Sequence, residues 1–165
     1  MRILVTAATR HGATGEIADA LAAGLERRGI EARRLAPGDA GTLAGYDAVV
    51  LGSAVYMGRW LVSAREFALR HAVELAERPV WLFSSGPLGD PPLPAGEPDV
   101  GELVAATGAR GHRTFPGLLE RERLSLAERL AVRAVHAPYG DSRDWGALER
   151  FADEIAAALA AEVAR

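Results

Sequence analysis

The hydrophobic and polar positions of the chain follow two alternating patterns, short continuous apolar runs and longer stretches with helical spacing. A continuous apolar run predicts a strand that is covered on both faces, as in a parallel sheet. The longer stretches repeat apolar residues three and four positions apart, which is typical of helices with one buried face. Strand and helix alternate along the chain, so the pattern predicts an α/β fold with a parallel sheet.

Five strands are predicted, at about residues 2–7, 31–35, 48–52, 80–83 and 112–115. Helices are predicted at about residues 13–28, 60–76 and 100–107 and from residue 144 onward, with Trp145 and Phe151 expected in the core. The region from about 117 to 141 does not fit the repeating pattern. It holds a charged amphipathic segment, and we interpret it as an insertion near the fifth strand of a single domain.

The loop after the first strand has the features of an anion site. The first backbone N–H groups of the helix that follows have no partner within the helix, and the helix dipole places partial positive charge there. Two threonines add hydroxyl groups, and a glycine lets the backbone approach a ligand. We predict that a phosphate monoester binds the residues Thr9, Arg10, His11, Gly12, Ala13 and Thr14.

Two roles stay open within this loop, whose plainer interpretation is a capped strand–helix turn. Arg10 is expected to contact either the phosphate or a neighbouring carboxylate. His11 is expected to offer its backbone N–H rather than its imidazole.

The loops after the third and fourth strands are the other candidates for ligand contact. In an open parallel sheet, ligands bind beyond the carboxyl ends of the strands, where the strand order reverses. Both loops are therefore predicted to flank a planar ring, although the aromatic residues and the methionine also suit packing. The candidates are Ser53, Ala54, Val55, Tyr56, Met57, Gly58 and Trp60 in one loop and Ser84, Ser85, Gly86 and Pro87 in the other.

Composition removes several kinds of chemistry. The 165 residues include no cysteine, which excludes disulfides and thiolate catalysis, and no lysine, which excludes a Walker A loop and Schiff-base chemistry. The net charge of −3 and the lack of a broad basic face argue against nucleic-acid binding. His71 is expected to be a surface or structural residue in the middle of a helix, His112 and His136 are isolated, and no metal-ligand spacing exists.

The expected location is cytoplasmic. No stretch approaches the roughly 20 apolar residues of a spanning helix, and the apolar run at the start is too short for a signal peptide. The apolar stripe Leu124, Leu126 and Leu130 has three interpretations: a small satellite core, a contact in a homodimer, or a face for peripheral membrane contact.

Three segments carry a resemblance to a known family. Residues 4–18 (LVTAATRHGATGEIA) resemble the FMN-phosphate loop of flavodoxin-domain proteins, most closely the menaquinone-dependent protoporphyrinogen oxidase branch. Residues 46–60 (YDAVVLGSAVYMGRW) resemble the second flavin loop of that branch, and residues 144–156 resemble its final helix. The resemblance implies a flavodoxin-like, doubly wound five-stranded sheet of order 2-1-3-4-5 with helices on both faces. It also implies noncovalent FMN and oxidation of a reduced tetrapyrrole, with a quinone as electron acceptor.

The sequence departs from that branch at three places, so other functions remain as alternatives. Ala13 replaces a polar residue of the phosphate loop, Gly86-Pro87 brings no aromatic ring, and the insertion mixes glutamates with arginines. An electron-carrier flavodoxin and a binding module that has lost the flavin are the alternatives. A phospho-receiver domain is excluded, because the acidic residues it needs after strands one and three are replaced by Thr6-Ala7 and Gly52-Ser53.

Overall fold

A computed structural model describes residues 1–86, 98–134 and 136–164, so the predicted contact residue Pro87 lies outside the described part of the chain. The elements, in chain order, are β1 (Arg2–Ala8), α1 (Ala13–Arg27), β2 (Glu31–Leu35), β3 (Ala48–Tyr56), β4 (Arg59–Trp60), α2 (Val62–Arg70), α3 (Ala72–Ala76), β5 (Val80–Gly86), α4 (Gly101–Thr107), β6 (Gly111–Pro116), β7 (Leu118–Leu119), a 3₁₀ turn (Arg121–Arg123), α5 (Leu126–Ala134), β8 (Gly140–Asp141) and α6 (Trp145–Val163).

The central sheet is parallel and has the order β2-β1-β3-β5-β6. Val5 pairs with Val50 across β1 and β3, and Leu51 pairs with Leu82 across β3 and β5. Counting only these five strands, the order is 2-1-3-4-5, which confirms the prediction. The chain places β2 on one side of β1 and the strands β3, β5 and β6 on the other side. The strand order therefore reverses between β1 and β3.

Helices cover both faces of the sheet because its central strands are apolar on both sides. Ile3 and Val5 of β1 face a core completed by α1 and α6, which contribute Leu21 and Phe151. Leu4 of β1 faces the opposite core, which is completed by α2, α3 and α4. This two-sided burial accounts for the continuous apolar runs in the sequence.

Two predicted boundaries are wrong around the third strand. β3 continues through Tyr56 and turns back into β4, so Trp60 lies in a strand and not at the start of a helix. Met57 and Gly58 form the connecting turn with φ of 50° and 76°, the left-handed pair that a tight two-residue hairpin requires. The polar and glycine-bearing sequence suggested a loop, whereas cross-strand pairing of Val55 with Trp60 extends the strand.

The single helix predicted at 60–76 is divided into α2 and α3. His71 lies at the division, with φ of −102° and ψ of 15°, outside helical geometry. Its ring is buried beside the Phe67 ring, and its Nδ1 is 2.9 Å from Glu74 Oε1. The helical spacing of apolar residues continues across this break, which explains why the pattern did not reveal it.

Residues 117–141, which we call the inserted lobe, form a small unit after β6. The two strands β7 and β8 pair antiparallel and bring the ends of the lobe together. Its helix α5 buries only Glu128, whereas Leu126 and Leu130 are 77% and 67% exposed. Trp145, at the start of α6, is 43% exposed and was wrongly expected in the core. The guanidinium of Arg143 covers its ring at 4.7 Å.

Candidate functional site

A cavity of about 380 Å³ opens at the carboxyl ends of β1, β3 and β5. Its volume falls within the range of small-molecule sites, and its surface is mostly apolar. The ends of the sheet strands and their loops form one wall of the cavity, and the inserted lobe forms the opposite wall. The lining residues are Thr9, Arg10, His11, Ala13, Thr14, Ala54, Val55, Tyr56, Met57, Gly58, Leu61, Ser85, Gly86, Pro98, Thr114, Gly117, Leu118, Leu119, Glu120, Arg123, Leu124, Glu128, Ala131, Val132 and Ala137.

The loop between β1 and α1 has the backbone geometry of an anion site. Gly12 has a φ of 92°, a left-handed conformation that L side chains rarely adopt, and no side chain caps the helix that starts at Ala13. The Oγ1 atom of Thr9 accepts a hydrogen bond of 3.0 Å from the Gly12 amide and closes the loop. The loop residues therefore fit a phosphate group, since no side chain in the described part of the chain competes for the amides of the first turn of α1.

The hairpin between β3 and β4 forms the second side of the cavity. Met57 lies at its tip and is 91% exposed, so its thioether reaches solvent at the rim of the cavity. Tyr56 precedes it, and the guanidinium carbon of Arg10 is 4.3 Å from the centroid of the tyrosine ring. The hairpin and the loop between β1 and α1 are thus joined by a cation–π contact.

Three predicted contact residues direct their side chains into the protein instead. Trp60 is buried, and its indole N–H donates a 2.7 Å hydrogen bond to Ser84 Oγ, which is also 2.7 Å from His112 Nε2. Ser53 is buried and accepts a 2.9 Å hydrogen bond from the amide of Leu61. Alternation along β5 explains the difference between Ser84 and its neighbour, because successive side chains point to opposite faces. Ser85 and Gly86 line the cavity.

Glu128 of the inserted lobe was missed by sequence reasoning. Its side chain is 6% exposed, and its Oε1 atom lies 2.8 Å from Arg10 Nε and 3.0 Å from His11 Nε2. Arg10 therefore contacts a carboxylate, one of its two predicted roles, and the imidazole of His11 takes part as well. The Ser125 amide and then the neighbouring His11 lower the pKa of Glu128 to about 2, so the carboxylate is ionised.

The spacing of Ser125 and Glu128 is the one local signal in the sequence that could have pointed to Glu128. The Ser125 amide donates a 2.8 Å hydrogen bond to Glu128 Oε2, and the Glu128 amide donates a 3.3 Å bond to Ser125 Oγ. This reciprocal pair is a capping box, readable from serine and glutamate three residues apart. The signal places the start of α5 but says nothing of Arg10, which lies far away in sequence.

Arg123 is a second residue of the lobe that contacts the loop between β1 and α1. Its Nη1 atom donates a 3.0 Å hydrogen bond to the carbonyl oxygen of His11 and lies 3.3 Å from Glu16 Oε1. Glu16 is in the first turn of α1 and also pairs with Arg143, whose hydrogen bond lowers the pKa of the Glu16 carboxyl. Arg123 thus fastens the lobe to this end of α1, and Arg143, which follows the lobe, pairs with the same glutamate.

The fold and cavity together define a doubly wound α/β protein with a cavity at the point where strand order reverses, the place where such sheets bind ligands. The sequence model of the Flavodoxin domain family matches residues 4–145. The chain therefore belongs to the Flavodoxin domain family.

Solved structures with low sequence identity share this fold. Rubredoxin oxygen:oxidoreductase from Desulfovibrio gigas aligns with a TM-score of 0.67 and 13% identity, covering 99% of this chain and 37% of that one. This chain thus spans little more than a third of that protein. A flavodoxin variant from Pseudomonas aeruginosa aligns with a TM-score of 0.60 and 18% identity, covering 96% of this chain and 99% of that one. A Streptococcus pneumoniae flavodoxin aligns with a TM-score of 0.59 and 20% identity, covering 95% of this chain and 99% of that one.

No match is found among curated proteins. Among the described residues, no helix combines the length and the apolar character needed to cross a membrane.

Proposed function

We propose that this protein is an FMN-binding oxidoreductase of the protoporphyrinogen oxidase type, passing electrons from a reduced substrate through FMN to a quinone. The observation that carries the proposal is the cavity at the carboxyl ends of β1, β3 and β5, with an uncapped helix start at one end. Membership of the Flavodoxin domain family supports FMN as the ligand.

The phosphate loop would hold the phosphate of FMN through the α1 amides, with help from the hydroxyl groups of Thr9 and Thr14. The hairpin residues Tyr56, Met57 and Gly58 would flank one side of the flavin ring, and Ser85 and Gly86 would meet its polar edge through their backbone groups. FMN itself supplies the acceptance and release of electrons, while the protein sets its orientation and electrostatics. No side chain needs to act as a nucleophile.

The inserted lobe supports a small-molecule reactant in addition to FMN. Leu118, Leu124, Ala131 and Val132 give the cavity an apolar wall that the sheet alone does not provide. Such a wall suits an apolar planar reactant, and a reduced tetrapyrrole and a quinone are both of this kind. A cytoplasmic location, contact with a membrane surface through the exposed Leu126 and Leu130, and homodimer formation belong to this proposal as well.

An electron-carrier flavodoxin is the second candidate, favoured by the similarity in fold to flavodoxins over nearly their whole length. Carriers exchange electrons with protein partners and usually present a strongly charged surface for docking. The net charge here is only −3. Arg10–Glu128 and Arg123–Glu16 also hold the lobe across the cavity, at the side where a protein partner would approach.

Titration of flavin-free protein with FMN, followed by flavin absorbance and fluorescence, tests the cofactor. We expect saturable binding at micromolar or lower concentration. Gly12→Ala should weaken binding strongly, because its left-handed backbone is strained by any side chain and a Cβ would lie 3.4 Å from Arg123 Nη1. Gly38→Ala is the matched control, since a Cβ there meets nothing within 4 Å. No binding by the unaltered protein would favour a module that has lost the flavin.

Turnover distinguishes the two redox functions. The FMN-loaded protein should oxidise protoporphyrinogen with a soluble quinone as acceptor, with rates that saturate in both reactants. An electron carrier would instead accept electrons rapidly from a flavodoxin reductase in stopped-flow experiments and would leave protoporphyrinogen unchanged.

A further inference from the structure

Three basic side chains lie in or beside the phosphate loop: Arg10 and His11 within it, and Arg123 of the inserted lobe beside it. Two of them share a single partner, because both Arg10 and His11 contact the buried carboxylate of Glu128. Arg10 is further drawn toward the hairpin by the ring of Tyr56. The contacts of Arg10 and His11 are therefore directed to α5 and the hairpin.

Arg123 occupies a different position, beside the residue that precedes α1. Its Nη1 atom lies 3.4 Å from where a Cβ on Gly12 would be, and it donates to the carbonyl oxygen of His11. Its Nε atom is 2.5 Å from Glu120 Oε2. Among the described residues its side-chain hydrogen bonds come from Nη1 and none comes from Nη2, and the side chain, 38% exposed, lines the cavity. A guanidinium with a free pair of N–H groups at a helix start is well suited to a phosphate oxygen.

We propose that Arg123 of the inserted lobe recognises the phosphate of the bound flavin and selects FMN over riboflavin, whereas Arg10 serves to hold the lobe in place. The inference rests on the proposed FMN site. It assigns to the lobe a part in cofactor selection, in addition to its apolar wall. Glu16 and Glu120 orient the guanidinium through its Nη1 and Nε atoms and leave the Nη2 group for the ligand.

Comparison of FMN with riboflavin tests the proposal, since the two differ only in the phosphate. Arg123→Gln should weaken FMN binding roughly tenfold to hundredfold, the range expected for a lost charge-assisted hydrogen bond, and should change riboflavin binding by less than about twofold. Arg123→Lys should restore part of the FMN affinity. Arg121→Gln is the matched control, because its side chain lies in the same turn and has no ion pair among the described residues.

Arg10→Gln provides the opposite case. Loosening the lobe should weaken FMN and riboflavin by similar factors and leave the ratio of their dissociation constants unchanged. Far-ultraviolet circular dichroism of each flavin-free variant checks that the fold is kept.

The outcomes separate the inference from the proposed function. If the unaltered protein binds FMN but Arg123→Gln lowers both affinities equally or neither, the inference is overturned and the cofactor proposal stands. It is equally overturned if Arg10→Gln, and not Arg123→Gln, abolishes the preference for FMN. If the unaltered protein binds neither flavin, the cofactor proposal fails and the inference fails with it.

Discussion

The parallel sheet and the inserted lobe form opposite walls of one cavity but are held together by different forces. The strands β1, β3 and β5 are almost wholly buried, and helices pack apolar side chains against both faces. Helix α5 of the lobe buries one residue, a glutamate, and is fastened by an ion pair to Arg10 and a hydrogen bond to His11. Burial fixes the first wall, whereas charge fixes the second. The lobe is therefore the wall that a change of pH or of a single charge can move.

The largest expected effect comes from the sheet. Phe83 is fully buried, and its ring lies 6.1 Å from the ring of Phe115, centroid to centroid. Phe83→Ala should lower the free energy of unfolding by about 3–5 kcal/mol, through lost burial and a cavity in the core. Urea denaturation measures the change. Tyr139→Ala in the lobe, at a half-exposed residue, is the control and should cost well under 1 kcal/mol. Equal losses for the two variants would contradict the contrast between the walls.

A smaller effect is expected from overfilling the same part of the sheet. A Cβ on Gly52 would lie 2.1 Å from the ring of Phe83 on the neighbouring strand. Gly52→Ala should therefore destabilise the protein by roughly 1–3 kcal/mol, as the ring is forced from its place. Thermal unfolding measures this, with Gly41→Ala as the control because nothing lies within 4 Å of a Cβ there. An unchanged melting temperature would show that the ring has room to move.

Acid should release the lobe before it unfolds the sheet. The pKa of Glu128 is about 2 in the folded protein, below its ordinary value of 4.5, so its contribution to stability is complete above about pH 4.5. The contribution is lost as the pH falls from 4.5 toward 2. Hydrogen exchange of α5, corrected for intrinsic rates, should quicken over this range while β3 and β5 stay protected.

Glu128→Gln sharpens the acid experiment. The variant should show fast exchange of α5 already at pH 7 and a weaker dependence on acid. Some dependence remains, because Arg143 also lowers the pKa of Glu16 and of Asp141, which join the lobe to α1. Glu122→Gln, at an exposed residue of the same lobe, is the control with the same change in charge. Protection of α5 that is unchanged in Glu128→Gln would exclude the ion pairs as the main attachment.

The smallest expected effect concerns the hairpin on the sheet side of the cavity. Met57 has a φ of 50°, and a flexible apolar side chain gains nothing from this left-handed turn position. Met57→Asn should raise stability by a few tenths to about 1 kcal/mol, since asparagine is favoured there. Thermal unfolding measures the gain, and the FMN affinity of the same variant shows whether the thioether contributes to the site. A loss of stability would mean that the methionine makes a contact worth more than the strain.

The sequence by itself determined the five strands of the central sheet, their order through the family resemblance, and the loop and helix start that follow β1. These features are local: continuous apolar runs mark strands that are buried on both faces, and a glycine before a helix marks an exposed helix start. The boundaries at Trp60 and His71 could not be predicted from local sequence, because pairing across the hairpin and packing against Phe67 decided them.

Only the tertiary structure decided what the charged residues of the lobe do. Glu128 and Arg10 are 118 positions apart, and nothing in either neighbourhood marks one as the partner of the other. Ionic contacts between distant segments leave no periodic trace, whereas burial repeats with the period of the helix or strand. The sheet and its loop could therefore be inferred from the order of residues, and the second wall of the cavity required the folded chain.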